Sequence, residues 1–439
     1  MVVSSTKPSH RTQRQGNEKR RCVLVIGSGI AGATVAERLS RAGQEVYLIE
    51  KKAVIGGHVV EMGCKATDVC LRCNVCVANE LLRAVAASSS VRIHTRTELM
   101  GLEAGTNGFR YTAILKHEPT FVDRNKCTGC QACVGACPEK CISLPALRVS
   151  PAVPVFNYSL CRRFRGKDCS ACEQTCPVDA INMQDKTSQS KIDVDAVVIA
   201  TGYEPYNPAV DGSYGYRRAA NVITGIDAER QLAIEGQITR PSDGKRPKRI
   251  AFIQCVGSRS ELVHRRPEDT DYCSAVCCAY ALRMAQLIKY QDNNAEVTIF
   301  YMDIQNFGKG FNDFYKKCKD KVTFIRSRPY EIKQGPDGTL LVKFAPQSLP
   351  DDRAAVCEQQ FDLVVLAVGI RPTSDTAKLA EALLVPVDEQ GFFGLKDACP
   401  LSALQRERIF AVGACESPKD IQSCMAQAEA VSAAIISEA

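Results

Sequence analysis

The chain has 439 residues, 45% of them hydrophobic, which is enough to bury more than one core, so we expect two or three domains. No apolar run approaches the roughly 20 residues of a membrane-spanning helix, and the N-terminus does not resemble a signal peptide. We therefore expect a cytoplasmic protein that associates with membranes only through a partner. Trp is absent and no basic pattern is interleaved with aromatic residues, which argues against nucleic-acid binding despite a net charge of +7. Residues 1–21 carry six basic side chains and one acid without apolar periodicity, and they predict a disordered basic tail.

Residues 22–50 have the pattern of a βαβ unit that binds a dinucleotide. A continuous apolar strand leads into a turn with Gly27, Gly29 and Gly32, and a helix and a second strand follow. The glycines allow a tight turn, a close approach of a pyrophosphate and close packing of the helix on the strand. Glu50, at the end of the second strand, is placed to accept hydrogen bonds from ribose hydroxyls.

The segments around this unit resemble those of flavoproteins with two dinucleotide-binding domains, which implies FAD. The resemblance rests on a glycine doublet after Glu50, on the segments 197–205 and 363–372, and on the strand before Gly413. Ala414 stands where this superfamily usually has Asp, with Asp420 nearby. The flavin positions implied by the resemblance are Lys51, Gly56, Gly57, Thr201, Gly202, Gly413, Asp420 and Ile421.

A second dinucleotide-binding domain is expected to begin at the strand 249–253. One glycine, Gly257, follows this strand where a nicotinamide site needs three. We therefore predict a degenerate NAD(P)H site and no direct binding of NAD(P)H.

Two central runs of cysteines match a bacterial ferredoxin with two 4Fe–4S clusters. In such proteins three thiolates of each run bind one cluster, and the fourth, before a Pro, binds the other. The spacing predicts a first cluster on Cys127, Cys130, Cys133 and Cys176, and a second on Cys137, Cys161, Cys169 and Cys172. Zinc ribbons also use paired Cys-x2-Cys turns, but they do not require the third cysteine of each run or the closing Cys-Pro.

Two further sets of cysteines lie outside this region. A third 4Fe–4S cluster is predicted on Cys64, Cys70, Cys73 and Cys76, the alternative being a cysteine-rich helix start packed under the flavin. The set Cys255, Cys273, Cys277 and Cys278 is ambiguous, because adjacent cysteines do not easily ligate one cluster. Spacing alone leaves a redox-active disulfide or buried thiols open.

Six features together resemble the heterodisulfide reductase A family: the segments 27–32, 70–76, 252–259, 272–278 and 307–315 and the inserted ferredoxin. The resemblance covers about residues 22–439. It implies a flavoprotein core like that of thioredoxin reductase, and a non-standard fourth cluster on the Cys255 set. The methanogen form of the family has further iron–sulfur regions at both ends, so the resemblance also fits a shortened paralogue of that form.

The expected fold class is α/β, a thioredoxin reductase-like flavoprotein with two dinucleotide-binding domains and an inserted α+β ferredoxin-like domain. The expected parts are a tail (1–21), an FAD-binding domain in three pieces (22–118, 187–244 and 371–439), the ferredoxin insertion (119–186) and a second dinucleotide-binding-like domain (245–370).

The function implied is that of an oxidoreductase component that works within a complex. FAD would exchange electrons with three to four 4Fe–4S clusters. It would pass them between ferredoxin and partners such as the B and C components of heterodisulfide reductase, or a hydrogenase or dehydrogenase that supplies electrons. Electron bifurcation depends on semiquinone potentials, which motifs do not report. The alternatives are an NAD(P)H-dependent enzyme like the small subunit of glutamate synthase, and a zinc-stapled interaction module without enzymatic activity.

Overall fold

A computed structural model describes residues 21–106, 108–124, 126–144, 153–260, 269–305, 308–335, 337–346, 356–394, 404 and 406–437. Residues 1–20 of the expected tail and Phe307 of the 307–315 motif lie outside these ranges.

The first sheet is parallel and has five strands. They are β1 (Cys22–Ile26), β2 (Glu45–Glu50), β3 (Val91–Thr95), β9 (Ala196–Ile199) and β20 (Ile409–Ala411). Their order is β20-β9-β1-β2-β3. The central strand β1 buries all five of its residues, as a continuous apolar run in a doubly covered parallel sheet requires.

An antiparallel sheet of three strands adjoins the first sheet and carries the insertion. Its strands are β4 (Thr97–Ala104), β5 (Tyr111–His117) and β8 (Ser188–Val194), in the order β4-β5-β8. The chain leaves this sheet after β5 and returns at β8, so the ferredoxin-like region is inserted between two paired strands.

The insertion is small and has its own core. It contains β6 (Ile142–Ser143), β7 (Val155–Phe156), α3 (Ala132–Ala136) and α4 (Ala171–Gln174). An isolated bridge between Val122 and Ile181 joins its two ends. Cys133, Cys141 and Cys161 lie buried in its core together with aromatic and aliphatic side chains.

The second large sheet is also parallel. Its strands are β11 (Val222–Thr224), β12 (Arg249–Val256), β13 (Glu296–Tyr301), β14 (Thr323–Arg326) and β18 (Leu363–Val368), in the order β11-β18-β12-β13-β14. A three-stranded antiparallel sheet, β15 (Glu331–Gln334), β16 (Leu340–Phe344) and β17 (Cys357–Phe361), completes this half. Because β11 pairs with β18, the chain enters this sheet before residue 245, the boundary expected from sequence.

Two short strands connect the halves. They are β10 (Glu204–Pro205) and β19 (Ile370–Arg371), which pair antiparallel where the chain crosses in each direction. The two expected crossover segments therefore lie side by side. This arrangement of two parallel sheets and an insertion is the expected α/β fold class.

The remaining helices cover the sheets. They are α1 (Ile30–Arg41), α2 (Val77–Ala87), α5 (Gly225–Glu235), α6 (Cys277–Gln291), α7 (Phe311–Lys319), α8 (Thr376–Leu383) and α9 (Ile421–Ser437). A capping box starts α5, in which Asp227 N donates to Thr224 Oγ1 and Thr224 N donates to Asp227 Oδ2. Within the described part of the chain, no helix is both long and apolar enough to cross a bilayer.

Candidate cofactor sites

A cavity of about 740 Å³ lies between the two parallel sheets. Its floor is formed by the residues at the carboxyl ends of first-sheet strands, among them Ile26, Glu50 and Ala200, and its far wall by residues of α5 and α6. Cofactors of open α/β sheets bind at this edge, where neighbouring connections diverge.

The glycine turn is shaped for a phosphate group. Gly27 has a φ of +99°, and a Cβ there would lie 2.4 Å from the Ala200 carbonyl oxygen. A Cβ on Gly32 would lie 1.9 Å from the Gly27 oxygen, so only glycine allows this packing. A Cβ on Gly29 would meet nothing within 4 Å, and Gly29 lines the cavity. Since α1 starts after Gly29 without a side-chain cap, its first N–H groups are available to an anion.

Glu50 is buried at 7% exposure and lines the same cavity. Its Oε2 accepts hydrogen bonds from the Ser28 N–H (3.0 Å) and the Ser28 hydroxyl (2.6 Å), and its Oε1 accepts from the Lys52 N–H (2.9 Å). Carboxylate oxygens have about four acceptor positions in all, so Glu50 both braces the turn and retains acceptor capacity toward the cavity.

The glycine doublet packs against this turn. Gly56 N donates to Ser28 Oγ at 3.2 Å, and a Cβ on Gly57 would lie 2.9 Å from Gly29 Cα. Both glycines have positive φ. The expected doublet is therefore needed for close packing of two loops at the cavity rim.

The N-terminus of α9 also faces the cavity. Asp420 and Ile421 line it, and Asp420 Oδ1 accepts a hydrogen bond from Ser423 N at 2.8 Å, so Asp420 caps the helix. Thr201 Oγ1 is buried, lines the cavity and has no hydrogen-bond partner among the described residues. A bound polar group would satisfy this hydroxyl.

Nine of the twelve expected flavin positions line the cavity. The other three, Gly32, Gly56 and Gly413, each contact a lining residue instead, namely Gly27, Ser28 and Ala31. The donor set, the shape of the turn and the unpartnered Thr201 hydroxyl together fit a dinucleotide.

The eight ferredoxin cysteines separate into two small cavities. One is lined by Cys127, Cys130, Cys133 and Cys176. The other is lined by Cys137, Cys161, Cys169 and Cys172. The structure thus brings together the two interleaved sets predicted from spacing, and their role as ligands stays a prediction. Among the described residues, no three His, Cys, Asp or Glu side chains are grouped as one metal ion would need.

A fifth cysteine, Cys141, lines the second of these cavities and was missed from the sequence. It is 4% exposed, and its Sγ lies 3.3 Å from that of Cys137. Burial raises the pKa of Cys137, but hydrogen bonds from the Cys141 thiol and backbone N–H groups outweigh it and lower this pKa. Burial and the neighbouring Cys137 raise the pKa of Cys141 to about 12. Its spacing of four residues from Cys137 was the available signal.

The segment with Cys64, Cys70, Cys73 and Cys76 lies along the dinucleotide cavity. Cys73 lines that cavity, whereas the other three thiols are exposed. Arg283 of α6 holds the segment by donating from Nε to the Leu71 carbonyl at 2.9 Å. Nearby, Lys65 and Glu229 form an ion pair, and both residues line the cavity; nothing in the sequence indicated this pair.

Cys255 lies in β12 of the second sheet, and the other three cysteines, Cys273, Cys277 and Cys278, lie in or just before the helix α6. Cys255 has a φ of +58° at a register shift in β12, and Cys277 and Cys278 open α6. Burial, followed by the negative charges of the other three thiolates, raises the pKa of Cys277. No disulfide links the described cysteines.

The turn after β12 lies where a nicotinamide-binding domain would have its three glycines, and its packing differs from that of the Gly27–Gly32 turn. A Cβ on Gly257 would lie 2.3 Å from the ring of Tyr206, so this ring packs where a phosphate would approach the backbone. The helix that follows, α6, begins only at Cys277.

Comparisons with known proteins agree with this geometry. Residues 25–61 match a family described as an NAD(P)-binding Rossmann-like domain, and residues 118–139 match a 4Fe-4S binding domain. The crystal structure of T. acidophilum thioredoxin reductase superposes with a TM-score of 0.52 at 15% identity, covering 95% of this chain and 99% of that one. This likeness confirms the expected fold.

Two curated relatives are similar over nearly the whole chain, and both are A-type components of heterodisulfide reductases. The one from the H(2):CoB-CoM heterodisulfide,ferredoxin reductase of Methanothermobacter thermautotrophicus is 33% identical over 93% of this chain and 62% of its own length. The iron-sulfur one from the CoB--CoM heterodisulfide reductase of Methanocaldococcus jannaschii is 34% identical over 94% and 63%. The chain thus spans about three fifths of the relatives that it matches. The resemblance expected from the motifs is confirmed: over nearly its whole length the chain is homologous to A-type components of heterodisulfide reductases.

Proposed function

We propose that this chain is an electron-transfer component of a multi-subunit redox complex, in which FAD exchanges electrons with several 4Fe–4S clusters. The observation that carries the proposal is the separation of the ferredoxin cysteines into two cavities of interleaved composition. A zinc ribbon binds one ion with the four thiols of two Cys-x2-Cys turns, so it does not require a third cysteine in each run or a fourth cysteine that belongs to the other site.

The FAD assignment is supported by the large cavity and its lining. The pyrophosphate would bind at the Gly27–Gly32 turn and the N-terminus of α1, and the ribose beside Glu50. When bound, FAD supplies two-electron and one-electron redox chemistry. The N-terminus of α9 would stabilise negative charge in the cavity through its dipole.

The proposed cluster ligands follow the four cysteine sets. Two clusters belong to the insertion, a third to Cys64, Cys70, Cys73 and Cys76, and a fourth to Cys255, Cys273, Cys277 and Cys278. The last two sets are supported by position: Cys73 lines the flavin cavity, and α6 carries both Cys277 and the Arg283 that anchors the Cys70–Cys73 loop. The chain's contribution is to hold these groups at fixed distances and to tune their potentials through burial and hydrogen bonds.

The partners are proposed from the relatives' names, which describe components of heterodisulfide and ferredoxin reductases. We propose that the inserted domain exchanges electrons with a ferredoxin-type carrier, and that the rest of the chain contacts further redox proteins of the complex. Bifurcation of electrons at the flavin is part of the same proposal, and it requires suitable potentials for the one-electron steps of the flavin.

The proposal is tested by anaerobic purification followed by analysis of flavin, iron, acid-labile sulfide and zinc. Three or four clusters predict about 12–16 iron atoms per chain. Zinc without sulfide would favour the interaction module instead. Addition of NADPH separates the other alternative, since direct bleaching of the flavin would show an intact nicotinamide site where Tyr206 packs on Gly257.

A further inference from the structure

The loop between Cys161 and Cys169 is the one departure from the two-cluster ferredoxin spacing. The corresponding gap in the first run, between Cys127 and Cys130, is two uncharged residues. Here seven residues intervene, and they carry four basic side chains and one acid: Arg162, Arg163, Arg165, Lys167 and Asp168. A short 3-10 turn, Arg163–Arg165, and Gly166 with a φ of +75° fold the loop back on itself.

Two of the four cations of this loop lie at the second cysteine cavity. Arg162 and Arg163 line it together with Cys161 and Cys169. Arg162 pairs with Glu139, and Arg163 pairs with Glu173 at 2.8 Å.

The outer cations are directed toward solvent. Arg165 and Lys167 are exposed, and among the ion pairs of the described residues neither takes part. Lys140, also exposed, lies in the chain between Cys137 and Cys141, which both line this cavity. Leu160 and Phe164 are 45% and 44% exposed, so the rim combines positive charge with apolar surface. We call the surface formed by Lys140, Leu160, Arg162, Phe164, Arg165 and Lys167 the basic rim.

The first cysteine cavity has fewer cations beside it: the partly buried Arg124 and the exposed Lys126 precede Cys127, and no basic insertion follows it. The residues between Cys127 and Cys133 are uncharged, and its lining contains no basic side chain among the described residues. The asymmetry distinguishes one end of the insertion from the other.

We propose that the basic rim is the docking surface for an acidic one-electron carrier protein, which exchanges its electron with the cluster on Cys137, Cys161, Cys169 and Cys172. The proposal rests on the proposed function and deepens it. In each encounter the reduced carrier loses one electron and this cluster gains one, with no bond formed or broken. A positive rim of this kind attracts an anionic partner over a distance and raises the association rate, most strongly at low salt.

The test uses the anaerobically purified holoprotein and a reduced ferredoxin with two 4Fe–4S clusters and an acidic surface. The second-order rate of ferredoxin oxidation is measured by stopped flow at 50 and 300 mM salt in wild type and in Arg165→Glu/Lys167→Glu. The control, Lys191→Glu/Lys333→Glu, makes the same charge change at lysines that are 60% and 58% exposed on other sheets. Cationic methyl viologen radical is the second reductant.

We expect the rim variant to be about tenfold or more slower with ferredoxin at 50 mM salt, to lose most of its salt dependence, and to react with the viologen at least as fast as wild type. The control should stay within about twofold of wild type. Equal ferredoxin rates in the rim variant and wild type would overturn the proposal. A failure of the proposed function would look different from a failure of the docking proposal, because the purified wild-type protein would then contain no iron, sulfide or flavin.

Discussion

Lys65 Nζ lies 2.5 Å from Glu229 Oε2, and the two side chains are only 2% and 7% exposed. The pair joins the segment before Cys70 to α5 of the second sheet, and Glu229 also accepts from the Gly63 N–H at 3.2 Å. Both residues line the dinucleotide cavity. This contact therefore fixes the cysteine segment against the second half of the molecule beside the proposed flavin.

Removing one member of this pair should be strongly destabilising. We expect Lys65→Met to lower the free energy of unfolding by about 3–5 kcal/mol, because Glu229 would remain buried without its partner. Lys65→Met/Glu229→Leu should recover much of this loss, since no charge is left buried. Anaerobic urea denaturation followed by flavin fluorescence measures both. A single variant as stable as wild type would contradict the role given to the pair.

Gly32→Ala should impair dinucleotide binding. The new Cβ would lie 1.9 Å from the Gly27 carbonyl oxygen, so the turn must shift. Overpacking of this kind costs ~1–3 kcal/mol, which predicts FAD binding weaker by about five- to 150-fold. The control is Gly101→Ala, whose Cβ would come no closer than 4.0 Å to another atom. Flavin titration of the apoproteins gives the dissociation constants, and unchanged affinity in Gly32→Ala would exclude this turn as the pyrophosphate site.

Cys141 should be dispensable for loading of the second cluster while Cys137 is present. We expect Cys141→Ser to retain its full iron content. Cys137→Ser should also retain it, because the Cys141 thiol lies 3.3 Å from the Cys137 sulfur and can replace it. The double variant should lose about four iron atoms per chain. Loss of iron in Cys141→Ser alone would make Cys141 the principal ligand. Cys318→Ser, which removes a buried thiol outside both small cavities, is the control.

Two histidines make stability depend on pH below neutrality. Burial, then the positive charges of His117 and Arg92, lower the pKa of His94, and burial lowers that of His117. The unfolded chain therefore binds more protons once the pH falls below about 6.5. The free energy of unfolding should decrease as the pH falls from 7 toward 5, and this decrease should be smaller in His94→Asn than in wild type. Urea denaturation at both pH values tests this, and equal losses would contradict it.

The sequence predicted what depends on local spacing. The Gly27–Gly32 turn and the cysteine runs each lie within a short segment, so residue type and spacing suffice to predict their geometry. Contacts between distant segments left no such pattern. Lys65 and Glu229 are 164 residues apart, and neither has a neighbour in the chain that indicates an ion pair.

The boundary of the second domain shows the same limit. The strand β11 is three residues long, and its apolar character fits either parallel sheet. Only its pairing with β18 assigns it to the second. Cys141 was missed because the ferredoxin pattern already supplied four ligands, while its burial beside Cys137 and Cys161 depends on the fold of the insertion.

The most direct test of the account is a reductive titration of the anaerobic protein, followed by visible absorption and electron paramagnetic resonance. We expect one bound FAD, about 12–16 iron atoms with an equal amount of sulfide, and bleaching of both the flavin and the cluster absorption as dithionite is added. The proposed function would be contradicted by a protein that binds zinc in place of iron, or by one that binds clusters but no flavin that is reduced together with them.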